Sequence, residues 1–497
     1  MKKVLVLILI IIISCSPVLN IKALGSVSVD DSLKDEILDY DYIYDAKKDE
    51  RIPIPKTYVI EKVIKYLGEE AGFFKRPEYI FIDNKQFIYV ADTGNNRIVK
   101  LSNNGEVVNI FTGPSELPFN KPSGVFVDND GAIFVSDTGN NRIVHLNSAG
   151  EYVDEFVRPE SELLEDDFVF NPKTVYISPT GYIYCIRHQS LMTIDVNNNF
   201  RGYVGTTEVG FDLAWFLVRI FATKEQRRSV IKKQAPPFIN FVITDEGEIY
   251  ATTQDIRYGQ IKKINSVGRN LYPPGQYGEK DYDKKNNIEI QPYLADITVN
   301  EKGIISVLQQ NNGRVYQYDQ EGNMLASFGG IGERRGQFKM PVSLTIDSEG
   351  CIYVLDKELE CIQVFKPTRY IELIHEGIYL YHDGKYLEAQ QIWREVLSIN
   401  NNYKLAHMGL GKSLMKDEQW KAAMEEYKAA GDKLGYSSAF VKYRYTFIRK
   451  NFGWILLVVG FAVYLLNFII RSLKKLSDDV IDTFGQEKGG NKKYGIF

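Results

Sequence analysis

The sequence predicts an all-β six-bladed propeller, followed by a small α-helical repeat domain and one transmembrane helix. Three observations lead to this fold class. A β-rich unit recurs at a spacing of about 45 residues through the body of the chain. A helical unit with a spacing of about 34 residues follows it. A charge-free apolar run of about 19 residues lies near the C-terminal end.

The composition is that of an ordinary globular protein of roughly two to four domains. Of its 497 residues, 44% are hydrophobic and 25% are charged, which excludes a wholly disordered or collagen-like chain. Lys and Arg total 60 against 64 Asp and Glu, so the chain has no basic excess to neutralise a phosphate backbone. We therefore predict no nucleic-acid partner. Four cysteines are too few for a disulfide scaffold.

The β-rich unit is clearest in two segments that share the sequence DTGNNRIV. Three of its positions recur 45 residues apart, as Asp92 and Asp137, Gly94 and Gly139, and Arg97 and Arg142. Four weaker copies, each marked by a tight-turn glycine, follow at Gly181, Gly247, Gly303 and Gly350. Each unit alternates strands and turns with apolar residues at every second position. Six such sheets arranged radially form a propeller with short, protected edges.

The sequence also predicts how the ring closes. The sixth unit stops after three strands, at Phe365, whereas the strand-like segment 57–64 precedes the first complete unit at Pro77. We therefore expect this N-terminal strand to complete the sixth blade and to join the two ends of the propeller, which we place at residues 57–367.

The DTGNNRIV segments, preceded by a Pro-x-Gly/Glu strand, resemble the NHL repeat. Two copies match closely and four are degenerate. The resemblance implies a propeller, and some six-bladed relatives are lactonases or lyases that use a central metal ion. Some NHL propellers bind RNA, but an export signal and the balanced charge argue against that function for this chain.

Two insertions interrupt the repeat. Residues of about 211–233 are expected to form a helix with an apolar face and a basic end, and Trp215, Arg227 and Arg228 are binding candidates within it. This helix either packs over a blade edge or acts as a lid or docking helix on one propeller face. The second insertion, 272–291, is expected to be a long polar loop.

After the propeller the apolar period changes from two to 3.6 residues. Small and aromatic residues recur 34 apart in the pairs Gly377 and Gly411, Tyr386 and Trp420, Ala389 and Ala423, and Trp393 and Tyr427. This pattern resembles the tetratricopeptide repeat over residues 370–436, with two repeats. Because two repeats bury little surface, we expect the helix 437–450 to cap them, or another protein to complete them.

The N-terminal residues 1–25 are expected to be an export signal, with two lysines followed by a ten-residue apolar run. Three forms of processing remain open. Cys15 is a candidate for lipidation because it ends a lipobox-like sequence, small residues allow cleavage after Gly25, and the segment could stay as an uncleaved anchor. Residues 26–56 are expected to be a linker.

Residues 452–470 are expected to cross a membrane, because nineteen uncharged residues at about 1.5 Å each span the hydrocarbon core. Basic residues flank both ends, so the export signal decides the orientation. We predict a single-pass membrane protein of a bacterial cell surface, with its bulk outside the cytoplasm and the tail 471–497 inside.

The repeated turn motif has a structural and a functional interpretation. Asp92, Asp137, Gly94, Gly139, Asn96 and Asn141 are of the types that tight turns require, through hydrogen bonds to the backbone and tolerance of positive φ. Arg97, Arg142 and Arg314 fall at equivalent positions in three blades. They either cross-link strands or bind anionic groups on one face.

No catalytic motif is evident, and only two histidines lie in the predicted propeller, so we predict no catalytic residue, no metal ligand and no cofactor. A calcium site built from scattered oxygen ligands would leave no spacing signature. The leading hypothesis is a membrane-tethered, non-catalytic scaffold that binds a protein of the membrane or envelope, or a glycan or peptide. The alternative is a metal-dependent propeller enzyme of the lactonase or lyase type.

Overall fold

The computed structural model describes residues 40–488, apart from short gaps and one long one. The gaps are 46–49, 162–163, 165–167, 189, 206–236, 256–258, 267, 284–285 and 287. The predicted export signal with Cys15 and the helical insertion with Trp215, Arg227 and Arg228 therefore lie outside the described residues.

Twenty-seven strands are described. The first fifteen are β1 (Asp41–Asp45), β2 (Glu50–Ile54), β3 (Tyr58–Ile64), β4 (Tyr79–Ile82), β5 (Ile88–Asp92), β6 (Arg97–Leu101), β7 (Val107–Phe111), β8 (Gly124–Val127), β9 (Ile133–Asp137), β10 (Arg142–Leu146), β11 (Tyr152–Phe156), β12 (Pro172–Ile177), β13 (Ile183–Arg187), β14 (Ser190–Ile194) and β15 (Phe200–Tyr203). The others are β16 (Phe238–Ile243), β17 (Ile249–Thr253), β18 (Ile261–Ile264), β19 (Asp281–Asp283), β20 (Ile288–Ile290), β21 (Leu294–Val299), β22 (Ile305–Gln309), β23 (Arg314–Tyr318), β24 (Met324–Gly329), β25 (Pro341–Ile346), β26 (Ile352–Asp356) and β27 (Cys361–Pro367).

Twenty-three of the described strands form six antiparallel sheets, which confirms the prediction of a six-bladed propeller, and the other four form two separate hairpins, β1–β2 and β19–β20. Strands β4–β7, β8–β11 and β12–β15 make blades 1 to 3, and β21–β24 make blade 5. Blade 4 has three described strands, β16–β18. The innermost strand of each blade contacts that of the next, all the way round the ring. Large apolar side chains such as Ile98, Val135 and Val354 fill the spaces between neighbouring sheets and are fully buried.

Blade 6 consists of β25, β26, β27 and the N-terminal strand β3, as the sequence predicts. Strand β3 pairs antiparallel with β27, from Ile64 opposite Ile362 to Tyr58 opposite Pro367. Just beyond the pair, the Thr368 amide donates to the Thr57 carbonyl over 2.9 Å. The chain therefore enters and leaves the ring at the same place.

The antiparallel order of the strands gives the propeller two different ends. The loops that join one blade to the next all lie at one end, which we call the loop face; its described residues fall within 65–78, 112–123, 157–171, 275–293 and 330–340. The turns between the second and third strands of each blade lie there too. We call the opposite end the turn face, because short turns within blades form it.

Six helices follow the propeller. They are α1 (Arg369–His382), α2 (Tyr386–Ile399), α3 (Lys404–Lys416), α4 (Trp420–Ala430), α5 (Lys433–Lys450) and α6 (Phe452–Lys488). Helices α1 to α5 pack in sequence, each against the next. A Cβ atom on Gly377 would lie 2.8 Å from the Trp393 ring, and one on Gly411 would lie 3.0 Å from the Tyr427 ring. The 34-residue period thus places a glycine against an aromatic ring at two equivalent helix crossings.

The helices are packed onto the turn face of blade 5 and share one apolar core with blades 5 and 6. The Tyr403 hydroxyl of α3 donates to the Leu325 carbonyl at the start of β24 over 2.9 Å. His375 of α1 hydrogen-bonds through Nε2 to Gln317 Oε1 of β23, at 3.1 Å. The sequence predicts two separate modules, whereas the folded chain joins them through a continuous core.

The predicted linker 26–56 contains an ordered element. Strands β1 and β2 form a hairpin whose Tyr42 is fully buried against blade 5. The Tyr42 hydroxyl donates to Glu279 Oε2, and Arg51 Nε donates to Glu279 Oε1 over 2.7 Å. Glu279 belongs to the second insertion, which also contains the hairpin β19–β20 and the buried Tyr272, so that segment is not simply a polar loop.

Helix α6 begins one residue after α5 ends. Its segment Phe452–Leu476 has a mean hydropathy of 2.3 and is not buried by the rest of the chain. By length and composition it is able to span a membrane. The helix extends beyond the predicted boundary at residue 470, as far as Lys488.

The interface between the helices and blade 5 predicts a pH-dependent stability. Burial lowers the pKa of His375 to about 3, and the nearby Lys302 acts in the same direction. The unfolded chain therefore binds a proton below about pH 6.5 that the folded chain does not. We expect the free energy of unfolding to fall by up to about 1.4 kcal/mol per pH unit from this group as the pH drops from about 6.5 towards 3.

Urea unfolding at several pH values, compared between wild type and His375→Gln, measures this effect. The glutamine keeps a donor for Gln317 but does not titrate. The slope of the free energy of unfolding against pH should therefore be smaller in the variant by that amount. The control is His382→Gln, an exposed histidine on the same helix. Identical slopes for wild type and His375→Gln would contradict the prediction.

Candidate functional site

In blade 1, the DTGNN turn fastens the preceding inter-blade loop to the blade by hydrogen bonds. Asp92, the last residue of β5, is fully buried, and its Oδ1 accepts a hydrogen bond from the Lys75 amide at 2.7 Å. Its Oδ2 accepts from Asn95 Nδ2 and Arg97 Nε, each at 2.8 Å. Arg97 also donates to the carbonyls of Ala71 at 2.7 Å and Phe73 at 3.2 Å. The motif therefore ties the preceding inter-blade loop to its blade.

The asparagines and glycines of this motif have different roles. Asn96 and Asn141 adopt left-handed conformations, with φ of 54° and 56°. Gly94 and Gly139 do not have positive φ; they are required because a Cβ atom would lie 2.5 Å and 2.4 Å from the carbonyl oxygens of Lys75 and Asn120. The prediction of positive φ thus holds for the asparagines and is wrong for the glycines, which permit close approach of the turn to the loop.

Blade 2 repeats the arrangement with a more buried arginine. Asp137 accepts from the Asn120 amide at 2.7 Å and from Arg142 Nε at 2.8 Å. Arg142 is 3% exposed, and it also donates to Glu155 at 2.6 Å and to the Leu117 carbonyl at 2.5 Å. Its donors are thus directed into the blade, which favours the structural interpretation of this arginine over anion binding.

Arg314 also lies inside the protein. It is 5% exposed, and its guanidinium carbon lies 4.5 Å from the centre of the Tyr42 ring. Arg51 lies over the same ring at 5.1 Å. The three arginines lie at equivalent positions in three blades, and their side chains contact groups within the protein. Arg314 supports the N-terminal hairpin.

Three other blades fasten their loops from the same position, the last residue of the second strand. Arg187 donates to the Val169 carbonyl at 2.9 Å. Gln309 accepts from the Glu279 amide at 2.8 Å and donates to its carbonyl at 2.7 Å. In blade 6, Asp356 accepts from the Lys339 amide at 2.7 Å. These equivalents could not be recognised from the sequence, because Arg, Gln and Asp do not form a motif and share only their position at the end of the second strand.

The fastened loops expose large apolar side chains. One residue from each of four inter-blade loops is between 49% and 54% exposed: Phe73, Leu117, Val169 and Ile331. Tyr66 contacts Phe73, with 5.1 Å between the ring centres, and both rings are exposed. Because the backbone of Phe73, Leu117 and Val169 accepts the hydrogen bonds described above, these side chains are presented from fixed backbones. The loop face is therefore a pre-organised surface with apolar contact points.

The innermost strands carry a chain of polar groups from blade to blade. Thr174 Oγ1 donates to Asn240 Oδ1 at 2.9 Å, and Asn240 Nδ2 donates to Asp296 Oδ1 at 2.6 Å. Ser343 Oγ donates to Asp296 Oδ2 at 2.6 Å. All four side chains are buried. Burial raises the pKa of Asp296 to about 7, although these hydrogen bonds act in the opposite direction.

This polar chain is the part of the propeller where a central metal would be sought. It offers one carboxylate, one amide and two hydroxyls, and both carboxylate oxygens already accept hydrogen bonds. Within the described part of the chain, no group of three or more His, Cys, Asp or Glu side chains is placed to hold a metal ion. These residues therefore provide no metal site that would support the alternative hypothesis of a metal-dependent enzyme.

Comparison with known proteins agrees with the architecture. The NHL repeat family matches residues 119–146, which cover most of blade 2. No curated protein sequence matches the chain.

Solved structures with a similar fold include proteins of different function. Virginiamycin B lyase from Staphylococcus aureus is 11% identical with a TM-score of 0.38, covering 63% of this chain and all (100%) of its own. A gluconolactonase from Xanthomonas campestris is 10% identical with a TM-score of 0.39, covering 66% and 95%. An auxiliary nutrient binding protein from Bacteroides ovatus is 14% identical with a TM-score of 0.41, covering 66% and 84%. Similarity at this level does not assign an activity.

The fastening role of Asp137 predicts a large loss of stability on truncation. Asp137→Ala removes the acceptor of three hydrogen bonds and leaves the buried Arg142 without its main partner. We expect the free energy of unfolding to fall by about 3–5 kcal/mol. The matched control is Asp130→Ala, an exposed aspartate of the same blade, which should change it by less than about 0.5 kcal/mol. Urea unfolding followed by circular dichroism measures both; equal, small effects would show that the motif is not a structural fastening.

Proposed function

We propose that the chain is a membrane-tethered, extracytoplasmic binding protein that captures a protein of the membrane or envelope on its loop face. The observation that carries this proposal is the position of the helices. They cover the turn face of blade 5 and continue into the apolar helix α6, while the loop face lies at the other end of the propeller. If α6 anchors the protein in a membrane, the loop face therefore stays accessible to a partner.

The chemistry of the loop face supports a protein partner. Exposed Phe73, Leu117 and Ile331 are surrounded by charges of both signs, including Glu69, Arg334 and others of the same loops. Apolar contact points within a polar surround are typical of non-obligate protein interfaces. Their rigid presentation lowers the entropy cost of binding. The alternative to a protein partner is a glycan that stacks on the rings of Tyr66 and Phe73.

We further propose that α1 to α4 are two tetratricopeptide-like repeats with a structural role. The glycine-to-aromatic crossings at equivalent positions support the repeat. Their shared core with blades 5 and 6 means that the propeller itself, together with α5, covers the surface that two isolated repeats would leave open. The repeats then serve as a stalk that positions the propeller relative to α6.

Photo-cross-linking in cells tests the binding face. A photoreactive residue is placed at Phe73 or Leu117 on the loop face, and matched controls carry it at the exposed Asn104 or Ala149 on the turn face of the same two blades. We expect the loop-face variants to capture one membrane or envelope protein and the turn-face variants to capture none. Equal capture at both ends, or cross-links within the chain only, would contradict the proposal.

Protease treatment of intact cells tests the topology. With a tag at the C-terminal end, we expect the propeller to be digested from outside and the tagged tail to be protected. Protection of the propeller in intact cells, with digestion only after lysis, would place it in the cytoplasm and contradict the extracytoplasmic assignment.

A further inference from the structure

The last two and a half turns of α5 carry four basic side chains that have no acidic partner in the described part of the chain. These are Lys442, Arg444, Arg449 and Lys450, and all four are exposed. By contrast, Lys302 of blade 5 pairs with Glu376 of α1 at 2.6 Å, and Lys412 of α3 pairs with Glu321 of blade 5 at 2.5 Å. Since α5 contains no acidic residue at all, its cations are available to an external anion.

The apolar side chains of the same segment are also exposed. Only Ala439 of α5 is buried by the rest of the protein. Tyr445, Phe447 and Ile448 are 73%, 51% and 43% exposed and lie between the basic residues Arg444 and Arg449. Such a mixture of cations and amphipathic aromatic rings is disfavoured in bulk water but suits the headgroup layer of a membrane.

The position of the segment in the chain fits that layer. Asn451 alone separates α5 from α6, and the Ile455 amide donates to the Asn451 carbonyl, so the helical path is nearly continuous. Residues 442–450 cover about 12 Å of helix before the apolar segment begins. The polar headgroup layer is about 5–8 Å deep on each side of a bilayer. The far end of the segment therefore lies within about one Debye length of the headgroups, which is about 8 Å at physiological ionic strength.

We infer that residues 442–450 bind anionic phospholipid headgroups in the leaflet on the propeller side. The positive charges would contact lipid phosphates while Tyr445 and Phe447 rest among the headgroups. This inference relies on the proposed membrane anchoring by α6. It also gives a role to basic residues on the side of the membrane where the positive-inside rule would not place them.

The test uses the full-length protein in nanodiscs of phosphatidylcholine and phosphatidylglycerol at one fixed ratio. Bromine is placed on the acyl chains of either lipid, and quenching of Trp454, near the start of α6, reports which lipid is enriched beside α5. The signal of a Trp454→Phe variant is subtracted as background. We expect brominated phosphatidylglycerol to quench about fivefold more per lipid at low ionic strength, and the excess to shrink as salt is added.

Two variants that lack positive charges distinguish lipid binding at residues 442–450 from a general electrostatic attraction between the protein and anionic lipid. Replacing Lys442, Arg444, Arg449 and Lys450 by Gln should make the two lipids quench equally. Replacing Arg471, Lys474 and Lys475 at the far end of the apolar segment by Gln should leave the excess unchanged. Equal quenching in the wild type, or an excess that survives the first variant, would overturn the lipid site. Absence of quenching by either lipid would instead contradict membrane insertion itself.

Discussion

The pairing of β3 with β27 is the interaction on which the arrangement of the whole chain depends. A propeller of six blades has no covalent closure, and here the ring is joined by the hydrogen bonds of this one antiparallel pair. Closure also determines where the chain leaves the ring. Since β27 ends at the turn face, α1 starts there at once, and the helices pack against that end of blade 5. The placement of the helices away from the loop face is therefore a consequence of how the ring is closed.

The last residue of the second strand in a blade connects the repeated blade structure to the loops that form the exposed loop face. In five blades this residue forms hydrogen bonds with the backbone of the neighbouring inter-blade loop, although it is Asp in three of them, Gln in one and Arg in one. The requirement is for a polar side chain long enough to reach the loop backbone, and several residue types satisfy it. This explains why the motif is strong in two copies and degenerate elsewhere.

The parts of the fold that sequence reasoning predicted are those encoded by local periodicity. The 45-residue spacing led to six blades, and the unpaired strand at 57–64 led to ring closure. The contacts that escaped prediction join distant segments: Tyr42 with Glu279, 237 residues away, and Tyr403 with Leu325, 78 residues away. Such pairs leave no periodic trace in one sequence, because each partner looks like an ordinary turn or helix residue. For the same reason the turn motif could be recognised, but its role in presenting Phe73 and Leu117 could not.

The closed ring also determines how the protein would carry a mechanical load. A pull between a partner on the loop face and the helices on the turn face would act along the blade strands, because these strands run between the two ends. Strand β27, which leads directly into α1, is hydrogen-bonded on one side to β26 and on the other to β3. Such a force would load both ladders in shear, so that many hydrogen bonds resist together instead of opening one by one. Strand β3, which closes the ring, thus also helps β27 to resist a pulling force.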